Sequence, residues 1–236
     1  MTDDPKPIAQ VALRLASLQN PDYRGKTDEE VQKIARDAHE DLERARLAQV
    51  MRGWGLSRLE AETALRFDRS TTAAQRVEQF IRMAQSLILV LNGGVGAGKS
   101  CAAAWWLTQV AKDHLESNYL GKSWRWCPRA RFVKASWLGR WASSFDRGDR
   151  REVEAVSEAP WLVLDDLGIE LESASQRQAI EVLIDERNSA MLKTVITTNL
   201  SPEAMLARYG ARVDSRLRQF GGYAGCGDVD LRRRKT

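Results

Sequence analysis

The run Gly93-Gly94-Val95-Gly96-Ala97-Gly98-Lys99-Ser100 carries the most specific chemistry in this chain. It fits G-x-x-x-x-G-K-[ST], a loop that wraps phosphate. Glycines at 93, 94, 96 and 98 let the backbone bring its N–H groups close to an anion. The positive end of the helix that follows, through Cys101, adds to the same field. Lys99 is the residue that reaches the terminal phosphates, and the Ser100 hydroxyl is a ligand for Mg²⁺. The expected cofactors are therefore ATP and Mg²⁺.

Three further groups are candidates for the same site. Trp161-Leu162-Val163-Leu164 reads as a buried strand and ends in Asp165-Asp166. Asp165 is placed to hold Mg²⁺, and Asp166 to orient or deprotonate the attacking water. Thr194-Val195-Ile196-Thr197-Thr198 is β-branched throughout and ends at Asn199, whose amide can hold a water or a phosphate oxygen. Finally, Arg208, Arg212, Arg216, Arg218 and Arg232 are grouped near the C-terminus. Most of a charge run is solvated surface, but one or two arginines could neutralise charge developing on a γ-phosphate.

These residues need a scaffold of alternating strands and helices. Leu87–Leu91 is the strand before the phosphate loop, and a helix follows to about His114. Ala130–Lys134 is another strand, a helix is expected from Ser136 to Phe145, and 146–151 reads as a charged loop. Residues 174–189 have helical spacing, and Ser201-Pro202-Glu203 starts a last helix. Such alternation predicts a parallel α/β sheet with ligands at the C-terminal ends of its strands.

Residues 1–68 read as a small helical N-terminal region, with 69–236 as the ATPase domain. Thr27-Asp28-Glu29-Glu30 and Ser57-Arg58-Leu59-Glu60 are capping boxes, and Gly53-Trp54-Gly55 separates the two helices. The apolar stripe through Val31, Ile34, Ala38, Leu42 and Ala45 suits helix packing or a partner.

With 43% hydrophobic residues the chain can build a core, and its net charge of +4 permits nucleic-acid binding without requiring it. No apolar run is long enough to cross a bilayer, and Met1–Pro7 is too polar for a secretory signal. The scattered Cys101, Cys127 and Cys226 fit no metal spacing. A cytoplasmic setting is expected. Two adjacent acids after a strand, with TTN on the next, argue against a small-molecule kinase.

In this order the pieces resemble the AAA+ ATPases of the DnaC-type helicase loaders and the related IstB transposition ATPases. The resemblance runs from Leu87 to Lys235 through GGVGAGKS, WLVLDDLGIE, TVITTNLS, GARVDSRL and Asp230-Leu231-Arg232. It implies a five-stranded parallel sheet without a C-terminal helical lid. It makes Asn199 sensor 1, Arg232 sensor 2, and Arg216 an arginine finger acting on a neighbouring subunit's ATP, with Arg212 as the second candidate. It also implies a single-stranded-DNA helix across Ser136–Arg151, with Phe145, Arg147, Arg150 and Arg151 as contacts, and a hexameric replicative helicase bound through residues 1–68. Trp124 and Trp126 are further candidates for stacking on bases. The IstB-like alternative keeps the motor and exchanges the helicase for a transposase. Asp166, where many relatives have glutamate, implies slow hydrolysis.

Overall fold

The structure is a computed structural model that describes residues 26–117, 130–144, 146–169 and 173–234. Helix α1 (Asp28–Gly53) is followed by α2 (Arg58–Leu65), α3 (Thr72–Arg82), β1 (Ile88–Asn92) and α4 (Lys99–Ser117). Then come β2 (Ala130–Lys134), α5 (Ala135–Ala142), α6 (Arg147–Ser157), β3 (Trp161–Leu167) and α7 (Ala174–Ser189). The described chain ends with β4 (Lys193–Thr198), α8 (Pro202–Gln219), β5 (Gly221–Gly225) and a 3₁₀ turn, Leu231–Arg234.

All five strands are parallel, in the order β2-β3-β4-β1-β5. The Asn199 strand therefore lies between the phosphate-loop strand and the strand ending in two acids. Side chains alternate across the sheet. Leu89 and Leu91 join one core with Val77, Trp106 and Leu107, while Ile88 and Val90 join another with Leu138, Ile180 and Leu217. Helices α2–α4 cover the first face and α5–α8 the second, which is why both faces of β1 are apolar.

The chain divides into two compact units between Arg46 and Leu47, within α1. Leu47, Met51, Trp54, Leu56, Ala61 and Ala64 are all in the first core. The backbone N–H of Phe132, on edge strand β2, donates to Trp54 O at 2.7 Å, so this segment also covers a sheet edge. The boundary expected at residue 68 thus moves to residue 47. The Gly53-Trp54-Gly55 break ends α1 as expected, but the chain from Leu47 onward on both sides of it belongs to the larger compact unit.

Two other expectations change. The helix expected over Ser136–Phe145 is α5, Ala135–Ala142, with Lys134 rather than Ser136 at its N-cap. The charged stretch 146–151 is not a loop but the start of α6. Asp146 Oδ1 accepts the N–H groups of Gly148 at 2.6 Å and Asp149 at 3.3 Å, a side-chain cap that lets a charged sequence enter a helix. Strand β5, Gly-Gly-Tyr-Ala-Gly, has no strand signature. A Cβ at Gly221 would run into the Ile88 backbone, so close approach to β1 dictates glycine there. Among the described residues only the short Leu231–Arg234 turn follows β5 as a regular element, and no helix is long and apolar enough to cross a membrane.

Candidate nucleotide site

The phosphate loop joins β1 to α4 at the C-terminal edge of the sheet. Ala102 is the first helical residue to bond backward, to Gly98 O at 2.9 Å. The N–H groups of Lys99, Ser100 and Cys101 therefore form an open first turn suited to an anion. Gly96 (φ 83°) and Gly98 (φ 81°) take the left-handed conformation this turn requires. Gly93, Gly94, Val95 and Ala97 complete the loop; Val95 is exposed at its tip and Ala97 is buried.

Lys99 is 6% exposed, and Nζ donates to Gly93 O, Gly94 O and Asn199 Oδ1 at 2.8, 2.7 and 2.8 Å. All of its three donors are used, so it reaches a phosphate by exchanging one of these bonds. Burial lowers its proton affinity, and nearby Cys226, Asp166, Asp165 and Asp228 act the other way. Asn199 is thus brought against Lys99, although the two are a hundred residues apart.

A β-bulge between Leu164 and Leu167 shapes the acidic end of β3. It sends Asp165 into the sheet and turns Asp166 outward at φ 57°, a positive value that costs a non-glycine residue roughly 1–3 kcal/mol. Asp165 is 2% exposed. Burial raises its pKa, while hydrogen bonds from Thr197 and Ser100 oppose the rise and the Asp166 charge adds to it. Ser100 and Asp165, both expected to serve a metal, are therefore side by side.

Thr197 was not anticipated. Its hydroxyl donates to Asp165 Oδ1 at 2.7 Å and accepts the Asp166 N–H at 2.9 Å. The signal was a threonine two residues before Asn199, easily taken for β propensity alone. Also unforeseen were the backbone bonds that lay the segment after β5 on the phosphate loop. Gly94 N–H donates to Gly227 O at 3.0 Å and Leu231 N–H to Gly96 O at 3.1 Å. Asp230 abuts Gly96 and is 3.6 Å from Arg232 Nε, bringing Arg232 to the loop with a side chain 70% exposed.

The other candidates lie elsewhere on the chain. Helix α8 breaks at Gly210 (φ 86°, ψ 168°), and Arg212 and Arg216 on its second half both pair with Asp185 of α7. Arg147, Arg150 and Arg151 are exposed on the first turns of α6, with no ion-pair partner among the described residues. Phe145, Trp124 and Trp126 lie outside the described residues.

No family model matches the chain. The uncharacterized protein YdaV of Escherichia coli (strain K12) is 32% identical over 82 residues, 34% of this chain and 33% of YdaV. The match thus spans about a third of this curated relative's length. The crystal structure of the DnaC helicase loader is 25% identical, superposes with a TM-score of 0.53, and covers 65% of this chain and 88% of that one. The chain is similar in fold to the AAA+ proteins of the DnaC type. The AMPPCP-bound DnaA structure from Aquifex aeolicus shares the fold of this chain, with a TM-score of 0.51 at 14% identity over 68% of this chain and 50% of that one.

Proposed function

We propose that this protein is an ATP-dependent loader of a replicative DNA helicase, working as an oligomeric switch on single-stranded DNA. The observation carrying this reading is the likeness to the DnaC loader across most of that chain, coinciding with the cluster of Lys99, Asp165, Asp166, Thr197 and Asn199. The likeness to AMPPCP-bound DnaA supports ATP as the nucleotide.

A divalent cation fits the donors present. Asp165 is a buried carboxylate whose proton affinity is raised, and it adjoins the Ser100 hydroxyl, giving an all-oxygen set that suits Mg²⁺. Ser100 and Asp165 would hold it, and the ion would neutralise charge on the β- and γ-phosphates. The open α4 turn holds the phosphates, and Lys99 exchanges a loop carbonyl for a phosphate oxygen. Asp166, turned outward by the bulge, orients or deprotonates the attacking water. Asn199 steers that water or the γ-phosphate, and Arg232 senses the phosphates from the C-terminal segment. Arg216 acts on the ATP of a neighbouring subunit.

Arg147, Arg150 and Arg151 support the single-strand assignment through an electrostatic mismatch. Arg147 lies in the first turn of α6, where a cation is disfavoured by about 0.3–1 kcal/mol, and Arg150 and Arg151 follow it exposed, an arrangement that suits an anionic partner. The helicase contact is assigned to the N-terminal region, shortened by the packing to residues 1–46.

The test is gel filtration with the host's hexameric replicative helicase and ATP, using the full chain and a chain beginning at Leu47. Co-elution of the full chain alone supports the loader reading and the N-terminal assignment. Co-elution of both moves the contact onto the ATPase. No co-elution in any nucleotide state rejects the loader reading and makes a transposase the next partner to try.

A further inference from the structure

Both candidate finger arginines end on one carboxylate. Arg212 Nη2 is 2.6 Å from Asp185 Oδ2, and Arg216 Nε is 2.9 Å from Asp185 Oδ1. The two arginines are held differently. Arg212 makes a second ion pair, Nη1 to Glu181 Oε1 at 3.0 Å. The second contact of Arg216 is neutral, Nη1 to Gln219 Oε1 at 2.9 Å. Asn188 Nδ2 donates to the Arg216 backbone O at 3.3 Å, fixing the helix beneath the moving part of the side chain.

We propose that Asp185 is a positioning residue for Arg216, and that Arg212 keeps Asp185 neutralised when Arg216 leaves it for a neighbouring subunit's γ-phosphate. This rests on the reading of an arginine acting in trans. A carboxylate abandoned by its only cation resists the exchange, because an uncompensated, partly buried charge is costly. Asp185 has a second cation in place, so the departure of Arg216 leaves a pair behind. Arg212, shared between Glu181 and Asp185, is the fixed member and Arg216 the mobile one. The sequence left the choice between them open; the contacts assign it to Arg216. Until then Asp185 and Gln219 hold two guanidinium nitrogens of this long side chain, which limits the positions from which it is recruited.

The test mixes two kinds of full-length subunit. Acceptors carry Arg216→Ala beside an intact phosphate loop. Donors carry Asp166→Asn, which binds ATP without turnover. Mixing should restore turnover on the acceptors, because each donor supplies Arg216. Donors that also carry Asp185→Asn should restore kcat at least about tenfold less well, with an unchanged KM for ATP and unchanged co-assembly on gel filtration. Glu181→Gln added to the donor instead should cost less than Asp185→Asn. Failure of the Asp166→Asn donors themselves rejects action in trans, and the proposal with it. Equal rescue by donors with and without Asp185→Asn overturns the proposal alone. A loss of rescue that merely follows lost co-assembly or a lowered Tm also overturns it, by making the cluster a structural brace.

Discussion

The Thr197 hydroxyl donates to Asp165 Oδ1 across 2.7 Å, joining the middle strand of the site to a buried carboxylate. The same oxygen accepts the Asp166 N–H, so one side chain orders both acids. Thr197→Val keeps the shape and removes both interactions. Leaving a buried carboxylate short of a donor costs about 1–3 kcal/mol. Denaturant unfolding should show a loss of that size, and kcat should fall more than ATP affinity as Asp166 loses its anchor. Thr197→Ser should recover most of both; a Thr197→Val protein with native kcat would separate this bridge from turnover.

Arg147, Arg150 and Arg151 offer charge to the surface without stabilising their own helix. Replacing all three with alanine should leave α6 at least as stable, because alanine suits a helix and cations do not suit its N-terminus. Single-stranded DNA affinity should fall, and the slope of log affinity against log salt should shrink by about 2, from roughly 0.7 per lost phosphate contact. Fluorescence anisotropy across a salt series measures both. An unchanged slope would remove these arginines from the DNA contact, and ATP binding should not change in any case.

Much of the scaffold was readable because local and global signals agree. Ala130–Lys134 and Ala174–Ser189 match the observed β2 and α7, with apolar spacing and polar caps pointing the same way. Ser57 and Ser201 cap their helices as the sequence indicates. Strand β5 was not readable, since a strand selected for close approach to β1 has glycine where β propensity asks for branched residues. The start of α6 was hidden because its cap is a charged residue within a charged run. Lys99, Asp165 and Asn199 were singled out from motif position alone, and the fold brings Lys99 and Asn199 into contact. The roles of Thr197, Asp185 and the segment Gly227–Leu231 depend on contacts across many residues of sequence, which no local pattern encodes.

Arg187 is 1% exposed and has no carboxylate among its hydrogen-bond partners in the described residues. It donates instead to the carbonyls of Val156, Ser157, Ala159 and Lys193 and to Thr194 Oγ1, tying the end of α6 to the start of β4. Burial pushes its pKa down to about 9. Arg187→Met would remove the cost of that charge but strip donors from several buried oxygens, each worth about 1–3 kcal/mol. The second effect should win, with a net loss above about 3 kcal/mol in the denaturant midpoint analysis. A stabilised Arg187→Met protein would mean the charge cost exceeds the bonds.

Asp214 ties α8 to β5, with Arg218 Nε at 2.8 Å and the Tyr223 hydroxyl donating at 2.9 Å. Its pKa is lowered, first by the Arg218 hydrogen bond and then by that of Tyr223. A carboxyl with a depressed folded pKa contributes stability above its unfolded pKa and loses it as pH falls through the folded one. Wild-type Tm should therefore fall between about pH 4 and lower values by more than that of Asp214→Asn, which has no proton to take up. Parallel curves would show that this carboxyl does not contribute to the acid loss.

The position of the domain division decides which truncation is informative. Met51, Ala61 and Ala64 have no exposed surface, and Trp54 is 5% exposed, so this segment is part of the core of the larger unit. A chain beginning at Leu47 should fold cooperatively and retain ATP binding. A chain beginning at residue 69 loses Leu47, Met51, Trp54 and Leu56 from the first core and the Trp54 carbonyl from the edge of β2. Full burial of each large apolar side chain is worth roughly 1.5–3 kcal/mol, so these four together approach the whole stability of an ordinary domain. Circular dichroism melts should show one sharp transition for the first chain and none for the second. A cooperative melt from the shorter chain would place the division back at residue 68 and leave the packing of Trp54 without an energetic role.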